Sequence, residues 1–456
     1  MKFQFFRHWK YFLFLMASAC SCSLPAVARE DTNVVAAAEK DEDTGGWESV
    51  FTEENQVPLY INLYVADGLY YELMESSEYQ GTFYTSVFSE KRRLTGRLGM
   101  KIHIDAAIFH EQDEVPPVDN TLTFRRLRFN TFGRGFFLSP FTYGLEFGSS
   151  DGDFYFNDGY IWFHKVPYIG SVRCGIFKAP MSMEAQQSSS ATVMMEVAAP
   201  VSTFTPGDLF GLQVGGAVKN MPVTLHAGWF ADVVDNEYRD ESQSYSRLIG
   251  RATWRPRDSV DEKGDGEIIH IGGSASHMFS AGGGVRFGTR PESYLAPVLI
   301  DTGTLEGEQG FVYGVEAAWQ NNSTLIQSEF LQAHADDAQG TVHRFNGTYL
   351  TGAWVMTGER RNYNRDGGFF SRVEPDRPFS FSNGTWGALE CVGRISYTDL
   401  TDDSIKGGIM SIASAGVNFY LTKRNRIMIN GGYADVRKSA NDGGLYFFQT
   451  RFQIDL

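Results

Sequence analysis

Apolar and polar residues alternate along most of the chain from residue 94 onward. Within 94–110, six apolar residues from Leu98 to Ile108 alternate with residues such as Arg97, Lys101 and Asp105. The same period of two recurs in four further segments, which are 141–148, 223–230, 244–255 and 386–397. A period of two is typical of a β-strand that has one apolar face and one polar face. The sequence therefore predicts a fold built largely from such strands.

Two architectures can use strands of this kind. A soluble sandwich turns the apolar faces inward, whereas a membrane barrel turns them outward to the lipid. The alternating segments are about 10–14 residues long, which is enough for a tilted strand to cross a bilayer. The pattern continues through 446–456, and tight connections such as 320–323 and 422–425 alternate with long ones at 182–207 and 279–309. Short turns at one end and long loops at the other favour an outer-membrane barrel.

The alternation and the connections together predict sixteen membrane spans. These are 94–111, 122–135, 140–149, 153–165, 170–180, 208–219, 222–233, 243–256, 266–278, 310–320, 323–335, 341–357, 385–399, 408–421, 425–437 and 444–456. Residues 282–290 also look like a strand, but an odd number would separate the termini, so we assign them to the outer loop 279–309. The predicted fold is all-β, a 16-stranded antiparallel transmembrane β-barrel at 94–456. A barrel of this size leaves an aqueous channel.

Composition excludes several functional classes. The only long apolar run lies at the N-terminus and the mean hydropathy is −0.26, which argues against a helical membrane protein. A formal net charge of −15 argues against a nucleic-acid partner. No nucleotide-binding loop or zinc-binding pattern occurs, so the sequence predicts no enzyme activity, no catalytic residue, no metal and no cofactor.

The N-terminus predicts export. Three basic residues precede a short apolar stretch, 11–19, and an A-x-A cleavage site ends at Ala28. These are the parts of a secretory signal peptide, so we assign 1–28 to a signal peptide and 29–93 to an acidic periplasmic leader with short strands. The predicted location is the outer membrane of the cell. Processing at Cys20, to give a lipid-anchored protein, is the alternative.

Two cysteines remain after this cleavage, Cys174 and Cys391. They fall on the fifth and thirteenth predicted strands, which lie on opposite sides of a ring of sixteen. A disulfide requires Cα atoms within about 7 Å of each other. We therefore predict two free thiols that point outward to the lipid.

A run of the form G-x-F-K-x-P-x-S-x-E occupies 175–184, and 211–216 reads G-L-Q-V-G-G. These residues resemble the phosphate-selective porin O/P family, in which the run enters a long third loop. Supporting similarities lie at 290–293, at 357–360 with Tyr363, and at 417–421. The family commonly has Met-Glu-Arg where this chain has Met195-Glu196-Val197, so one basic group is absent here.

The resemblance covers 94–456 and implies a trimeric barrel whose third loop, 182–207, folds inward as a constriction. A surface lid over the barrel mouth is the alternative for this loop. The implied function is an outer-membrane channel for passive diffusion of small hydrophilic solutes, with a preference for anions or phosphate. The expected partners are outer-membrane lipids, small anionic solutes and two further copies of the chain. The alternatives are a non-selective porin and a structural or adhesive barrel, which would need a large plug that the sequence does not reveal.

An anion channel needs positive groups along its lumen, and arginine binds phosphate-like anions bidentately. Alternation predicts the pore-lining residues Arg97, Lys101, Arg126, Arg128, Arg247, Arg251, Arg255, Arg394 and Arg451, and the family motif adds Lys178. Arg247, Arg251 and Arg255 are spaced roughly 13 Å apart on one strand and would form a ladder. The alternative is that these cations pair with inward carboxylates and only stabilise the wall. Those carboxylates are Asp105, Glu146, Asp158, Glu316, Glu329 and Glu390.

Overall fold

The structure is a computed structural model. It describes residues 47–50, 59–65, 69–75, 92–113, 115, 117–137, 139–150, 153–231, 245–261, 265–280, 284–438 and 442–456. The predicted signal peptide, 1–28, and the candidate lipidation site at Cys20 lie outside the described residues.

Strands dominate the described residues. They are β1 Trp47–Val50, β2 Leu59–Val65, β3 Leu69–Glu75, β4 Arg92–Asp113, β5 Thr121–Phe137, β6 Ser139–Ser150, β7 Asp153–Val166, β8 Gly170–Lys178, β9 Asp208–Ala217, β10 Val223–Ala231, β11 Tyr245–Asp258, β12 Glu267–Ser280, β13 Val285–Thr289, β14 Ile300–Leu305, β15 Gln309–Asn321, β16 Thr324–Asp336, β17 Val342–Val355, β18 Arg361–Asn364, β19 Phe369–Val373, β20 Ala388–Asp402, β21 Ile405–Tyr420, β22 Asn425–Arg437 and β23 Gly443–Asp455. Two short helices, α1 Met183–Gln186 and α2 Ala199–Phe204, lie between β8 and β9. No helix in the described part of the chain is long and apolar enough to cross a membrane.

Sixteen of these strands close into an antiparallel barrel. The ring runs from β4 through β12, continues through β15–β17 and β20–β23, and closes where β23 pairs with β4. At the closure Arg451 lies opposite Asp105, and the backbones of Met100 and Leu456 exchange hydrogen bonds of 3.2 and 2.8 Å. Each barrel strand corresponds to one predicted span, so the predicted fold is confirmed. The strand-like residues near 285 form β13, which pairs with β14 within an outer loop as expected.

The barrel wall has its polarity reversed relative to a soluble protein. Large apolar side chains such as Leu122, Phe124 and Trp254 are exposed on the outside. Polar side chains such as Gln327 and Glu390 are fully buried inside. Alternation positions the two sets on opposite faces of each strand. An apolar outer face is stable in hydrocarbon, whereas inward polar groups need partners or water.

Three connections fold into the barrel. At the end with the long loops, which we call the loop end, the third loop (179–207) carries α1 and α2, and the hairpin loop (281–308) carries β13 and β14. The third connection, 356–387, carries β18 and β19 and leaves from the opposite end, which we call the turn end. There Val355 pairs with Glu390, close to the tight turn between β15 and β16. We call 356–387 the inserted hairpin.

A small sheet extends the wall at the turn end. Strand β4 is 22 residues long and continues beyond the level at which β23 stops. Its first residues pair with β3 instead, beginning at Leu69 opposite Leu98, and β2 and β1 follow. Strands β1–β3 fall within the predicted leader, 29–93, which therefore contains short strands in its described part.

Candidate functional site in the barrel lumen

The inner wall is covered unevenly. Side chains of Arg251 and Arg394, on β11 and β20, are 0% exposed because the inserted connections pack over them. On β4 and β5, the side chains of Lys101, Arg126 and Arg128 are 18, 12 and 17% exposed. Water therefore reaches the inner wall along β4 and β5. This strip is the candidate conduction pathway.

The third loop lies inside the barrel, as the resemblance implied. The carboxylate of Glu329 on β16 accepts hydrogen bonds from the backbone N–H groups of Met183, at 3.2 Å, and Glu184, at 2.8 Å. On the opposite side, Asn430 accepts from the Met195 N–H at 2.9 Å and Arg426 donates to the Thr192 carbonyl at 2.8 Å. Contacts on both sides stretch the loop across the lumen and exclude the surface-lid alternative.

Arg394 joins both outer insertions to the wall. Its guanidinium donates to Glu184 in the third loop and, at 3.3 Å, to Glu292 in the hairpin loop. Glu292 also accepts from the Ser396 hydroxyl at 2.7 Å and the Ala199 N–H at 3.1 Å. Arg394 is therefore enclosed between these two carboxylates, with its side chain 0% exposed.

Lys178 has a similar role at the beginning of the third loop. Its ammonium group donates to the backbone carbonyls of Ala185, at 3.0 Å, and Gln187. These bonds fold the first turn of the loop back toward β8. Of the remaining predicted residues, Arg97 lies half-buried on β4, on the same face as Lys101.

Glu196 is the centre of a basic cluster on the open strip. Its carboxylate accepts from Arg125 Nε at 3.2 Å and Arg451 Nη2 at 2.6 Å, and Arg126 lies 3.9 Å away. Burial disfavours the charged form of Glu196, but the three guanidinium groups outweigh it and hold the pKa of this carboxyl well below its usual range. Arg451 is itself held by Asp105 through two bonds of 2.7 Å. We call Arg125, Arg126, Arg451, Asp105 and Glu196 the constriction cluster.

A second cluster lies next to it on the same wall. Glu146 on β6 accepts from Lys101 at 2.7 Å, from Arg128 at 2.8 Å and from Asn157 at 3.1 Å. The carboxylate is fully buried, while the two cations remain partly exposed. The water-facing groups of this cluster are therefore its cations.

The predicted ladder on β11 is divided among different environments. Arg251 forms an ion pair with Glu316, at 2.7 Å, and donates to the carbonyls of Gly367 and Gly368 in the inserted hairpin. Arg255 lies 3.3 Å from Asp258. Arg247 is also buried on this face. The cross-strand pairing that we gave as the alternative thus applies to Arg251.

The inserted hairpin is fastened across the lumen. Its Tyr363 hydroxyl lies 2.7 Å from His270 Nδ1, and His270 Nε2 lies 3.0 Å from Glu316. Burial raises the pKa of Tyr363 to about 12. At the other side, Arg361 donates to both oxygens of Glu390 and to the carbonyl of Ala191 at 2.7 Å. The hairpin and the third loop therefore touch each other inside the barrel.

Sequence analysis missed Arg125 because strict alternation would turn it outward. The register passes from Arg126 opposite His103 to Phe124 opposite Ile104, so Arg125 is the extra residue of a β-bulge. Both Arg125 and Arg126 consequently reach Glu196. A signal was present, because the apolar residues change from even positions at 122 and 124 to odd positions at 127 and 129.

Sequence analysis also missed Arg173 and Arg361. Arg173 on β8 lies 3.7 Å above the ring of Tyr160 and 4.2 Å from that of Phe177, so this inward cation is stacked on aromatic rings. Arg361 belongs to β18, which has only four residues and is too short to show a period. In the described ranges, no group of three or more His, Cys, Asp or Glu side chains could hold a metal ion.

Both cysteines are free, as predicted. Cys174 is exposed on β8 and Cys391 is half-buried on β20. These are the fifth and thirteenth strands of the ring. The Cys391 thiol lies 3.4 Å from the Met356 sulfur.

Comparison with known proteins gives one family. The model of the phosphate-selective porin O and P family matches residues 97–455. A protein of Caulobacter vibrioides is 28% identical over 323 residues, covering 68% of this chain and 62% of the relative, so the chain spans about three fifths of that relative. Porin O of Pseudomonas aeruginosa is 23% identical over 337 residues, covering 65% of this chain and 72% of the relative. An anion-selective porin from Comamonas acidovorans superimposes with a TM-score of 0.49 at 10% identity, covering 80% of this chain and 100% of that one.

Proposed function

Because the chain belongs to the phosphate-selective porin O and P family, we propose that it forms a channel of the outer membrane for passive diffusion of small hydrophilic solutes, with a preference for anions. The observation that carries the preference is the charge of the open strip. Lys101, Arg125, Arg126 and Arg128 are partly exposed there. Of the carboxylates that hold them, Glu146 is fully buried and only Glu196 is partly exposed.

An excess of accessible cations favours anions in two ways. Fixed charges within about 8 Å attract counter-ions at physiological salt, and low-dielectric walls strengthen that attraction. Guanidinium groups can also replace part of the hydration shell of a permeating anion. Because several cations lie along one wall, an ion can move from one to the next without being trapped.

The solute class is small anions in general rather than phosphate alone. The description of the family, phosphate-selective porin O and P, supports the anion preference. The absence of the basic group at Val197 removes one contact that a phosphate-selective loop would offer. A homotrimer in contact with outer-membrane lipids is the assembly we propose, since the family resemblance implies it.

Reversal potentials in planar bilayers test the proposal. The purified protein is placed between unequal KCl solutions, and the wild type is compared with the double variant R125Q/R126Q. We expect an anion preference in the wild type that falls in the double variant, more strongly at low salt because screening is weaker there. R286Q is the matched control, because Arg286 forms an exposed ion pair with Asp301 in the hairpin loop.

Three outcomes would contradict the proposal. A wild type without conductance would favour a structural barrel closed by its insertions. Equal permeability to both ions would favour a non-selective porin. If the anion preference fell as much in R286Q as in R125Q/R126Q, the effect would not be specific to the cations on β4 and β5.

A further inference from the structure

Within the constriction cluster, the guanidinium groups already bind an anionic side chain of the protein itself. The Glu196 carboxylate lies between Arg125 and Arg451 with Arg126 nearby, in the position that a small oxyanion would take. Arg125 presents its Nε and Nη2 atoms side-on to the two oxygens of Glu196, at 3.2 and 3.4 Å. This is the paired geometry with which guanidinium groups bind carboxylates and phosphates.

Of the two residues that hydrogen-bond to the Glu196 carboxylate, Arg125 makes the weaker contact. Its two distances exceed the range of about 2.7–2.9 Å typical of charge-assisted bonds, whereas the Arg451 contact is 2.6 Å. Both partners are also accessible, since Arg125 is 18% and Glu196 is 16% exposed. A solute can therefore reach Arg125 while Glu196 remains bonded to Arg451.

Arg125 is fixed in position without Glu196. Its guanidinium lies 3.7 Å above the ring of Tyr294 in the hairpin loop, which keeps it in the lumen as a stacked cation. Arg451 is likewise held by Asp105. Loss of the Glu196 carboxylate would leave a preformed basic site rather than a collapsed one.

From these contacts we infer that Glu196 is a tethered competitor, which occupies the anion site of the constriction and is displaced from Arg125 by each passing oxyanion. This inference rests on the proposed function. The ligand class is small anions with two acceptor oxygens, such as carboxylates and phosphate. Its chemical consequence is weak binding, because every solute must replace a carboxylate of the same shape.

Charge counting specifies which anions are affected most. The cluster has three guanidinium groups against two carboxylates, so it carries one net positive charge with Glu196 present. Without the charge of Glu196, the cluster carries a net charge of two positive units. A dianion such as phosphate at pH 8 should therefore gain more from the loss of Glu196 than chloride does.

The test measures block of chloride current by inorganic phosphate at pH 8, in the full-length protein. For E196Q we expect half-block at a phosphate concentration about tenfold lower than in the wild type, together with a stronger anion preference in reversal potentials. Glutamine keeps the size of the side chain and one acceptor oxygen, so the loop anchors remain. D301N is the control, because it removes one carboxylate charge from an exposed ion pair outside the constriction cluster.

E196D provides a second route to the answer if E196Q assembles poorly. Aspartate keeps the charge but withdraws the carboxylate by one methylene, so contact with Arg125 is lost. We expect its half-blocking concentration to lie between those of the wild type and E196Q. A half-blocking phosphate concentration that stays at the wild-type value in assembled E196Q and E196D would overturn the inference. A decrease in D301N as large as that in E196Q would also overturn it.

The two proposals fail separately. A wild type that prefers anions, with phosphate block unchanged in E196Q and E196D, overturns the competitor role alone. A wild type without anion preference overturns the proposed function and the competitor role together.

Discussion

The guanidinium of Arg361 and the carboxylate of Glu390 form a buried ion pair that ties the inserted hairpin to the barrel wall, with Nη2 2.7 Å from Oε2. Both side chains are almost completely enclosed. Glu390 and the Tyr420 hydroxyl outweigh the effect of burial on Arg361 and keep its pKa above the usual value. The Arg361 guanidinium is therefore held in its charged form within this pair.

R361Q should loosen the inserted hairpin. The substitution leaves Glu390 buried without its ionic partner, and breaking such a pair costs about 3–5 kcal/mol. We expect a lower temperature of heat-induced unfolding on gels and larger, noisier single-channel currents, because the hairpin no longer stays across the lumen. R372Q is the matched control, since Arg372 lies on the same hairpin but is 28% exposed. Currents of wild-type size and noise in R361Q would contradict a lumen position for the hairpin.

R251Q should reduce assembly more than ion selectivity. The substitution leaves Glu316 buried and removes the donors to Gly367 and Gly368. We expect a free energy of unfolding about 3–5 kcal/mol lower, measured by urea titration in detergent. The exposed pair of Arg286 should contribute at most about 1 kcal/mol, so R286Q is the comparison. A large change in reversal potential in well-assembled R251Q channels would instead support an anion ladder on β11.

The effect of Glu196 should be constant from pH 8 to pH 5. An unperturbed glutamate titrates near pH 4.3. The pKa of Glu196 is lowered in the folded protein, so its stabilising contact is fully present above about pH 4.3 and is lost only as the pH falls through the lower folded value. We expect the difference in reversal potential between the wild type and E196Q to be the same at pH 8 and pH 5. A difference that shrinks in this interval would show that the guanidinium groups do not hold the carboxylate.

The cysteines should differ in reactivity. Cys174 is exposed on the outer face, whereas Cys391 is half-buried against Met356. In detergent solution we expect a maleimide to modify Cys174 first, and non-reducing peptide mapping to find no link between the two. A Cys174–Cys391 disulfide would contradict the positions of β8 and β20 in the ring.

The barrel could be predicted because each membrane-spanning strand alternates apolar and polar residues with a period of two. Each residue contacts either lipid or lumen, so the side-chain period appears directly in the sequence. Arg251 and Arg394 are both buried inside the barrel, where each forms an ion pair. Their partners could not be predicted. Glu184 and Glu292 come from loops without a period, and they reach Arg394 only after the chain has folded across the lumen.

The inserted hairpin was the largest feature that the sequence did not reveal. Strands β18 and β19 have four and five residues, too few for an alternation to stand out. Their burial depends on distant residues such as His270 and Arg251. A similar limit applies to Arg125, whose direction depends on one bulge in β5.

The third loop also constrains the order in which the channel can be made. Its anchors include Arg426, Asn430, Arg451 and Asp455, which belong to the last two strands and lie 234 to 265 positions further along the chain. Contacts of such long range form late, because the intervening chain must first be ordered. A barrel that has not yet received β22 and β23 therefore has most of its wall, but its third loop still lacks the anchors on one side of the lumen. The step that closes the ring is therefore also the step that completes the attachment of the third loop across the lumen.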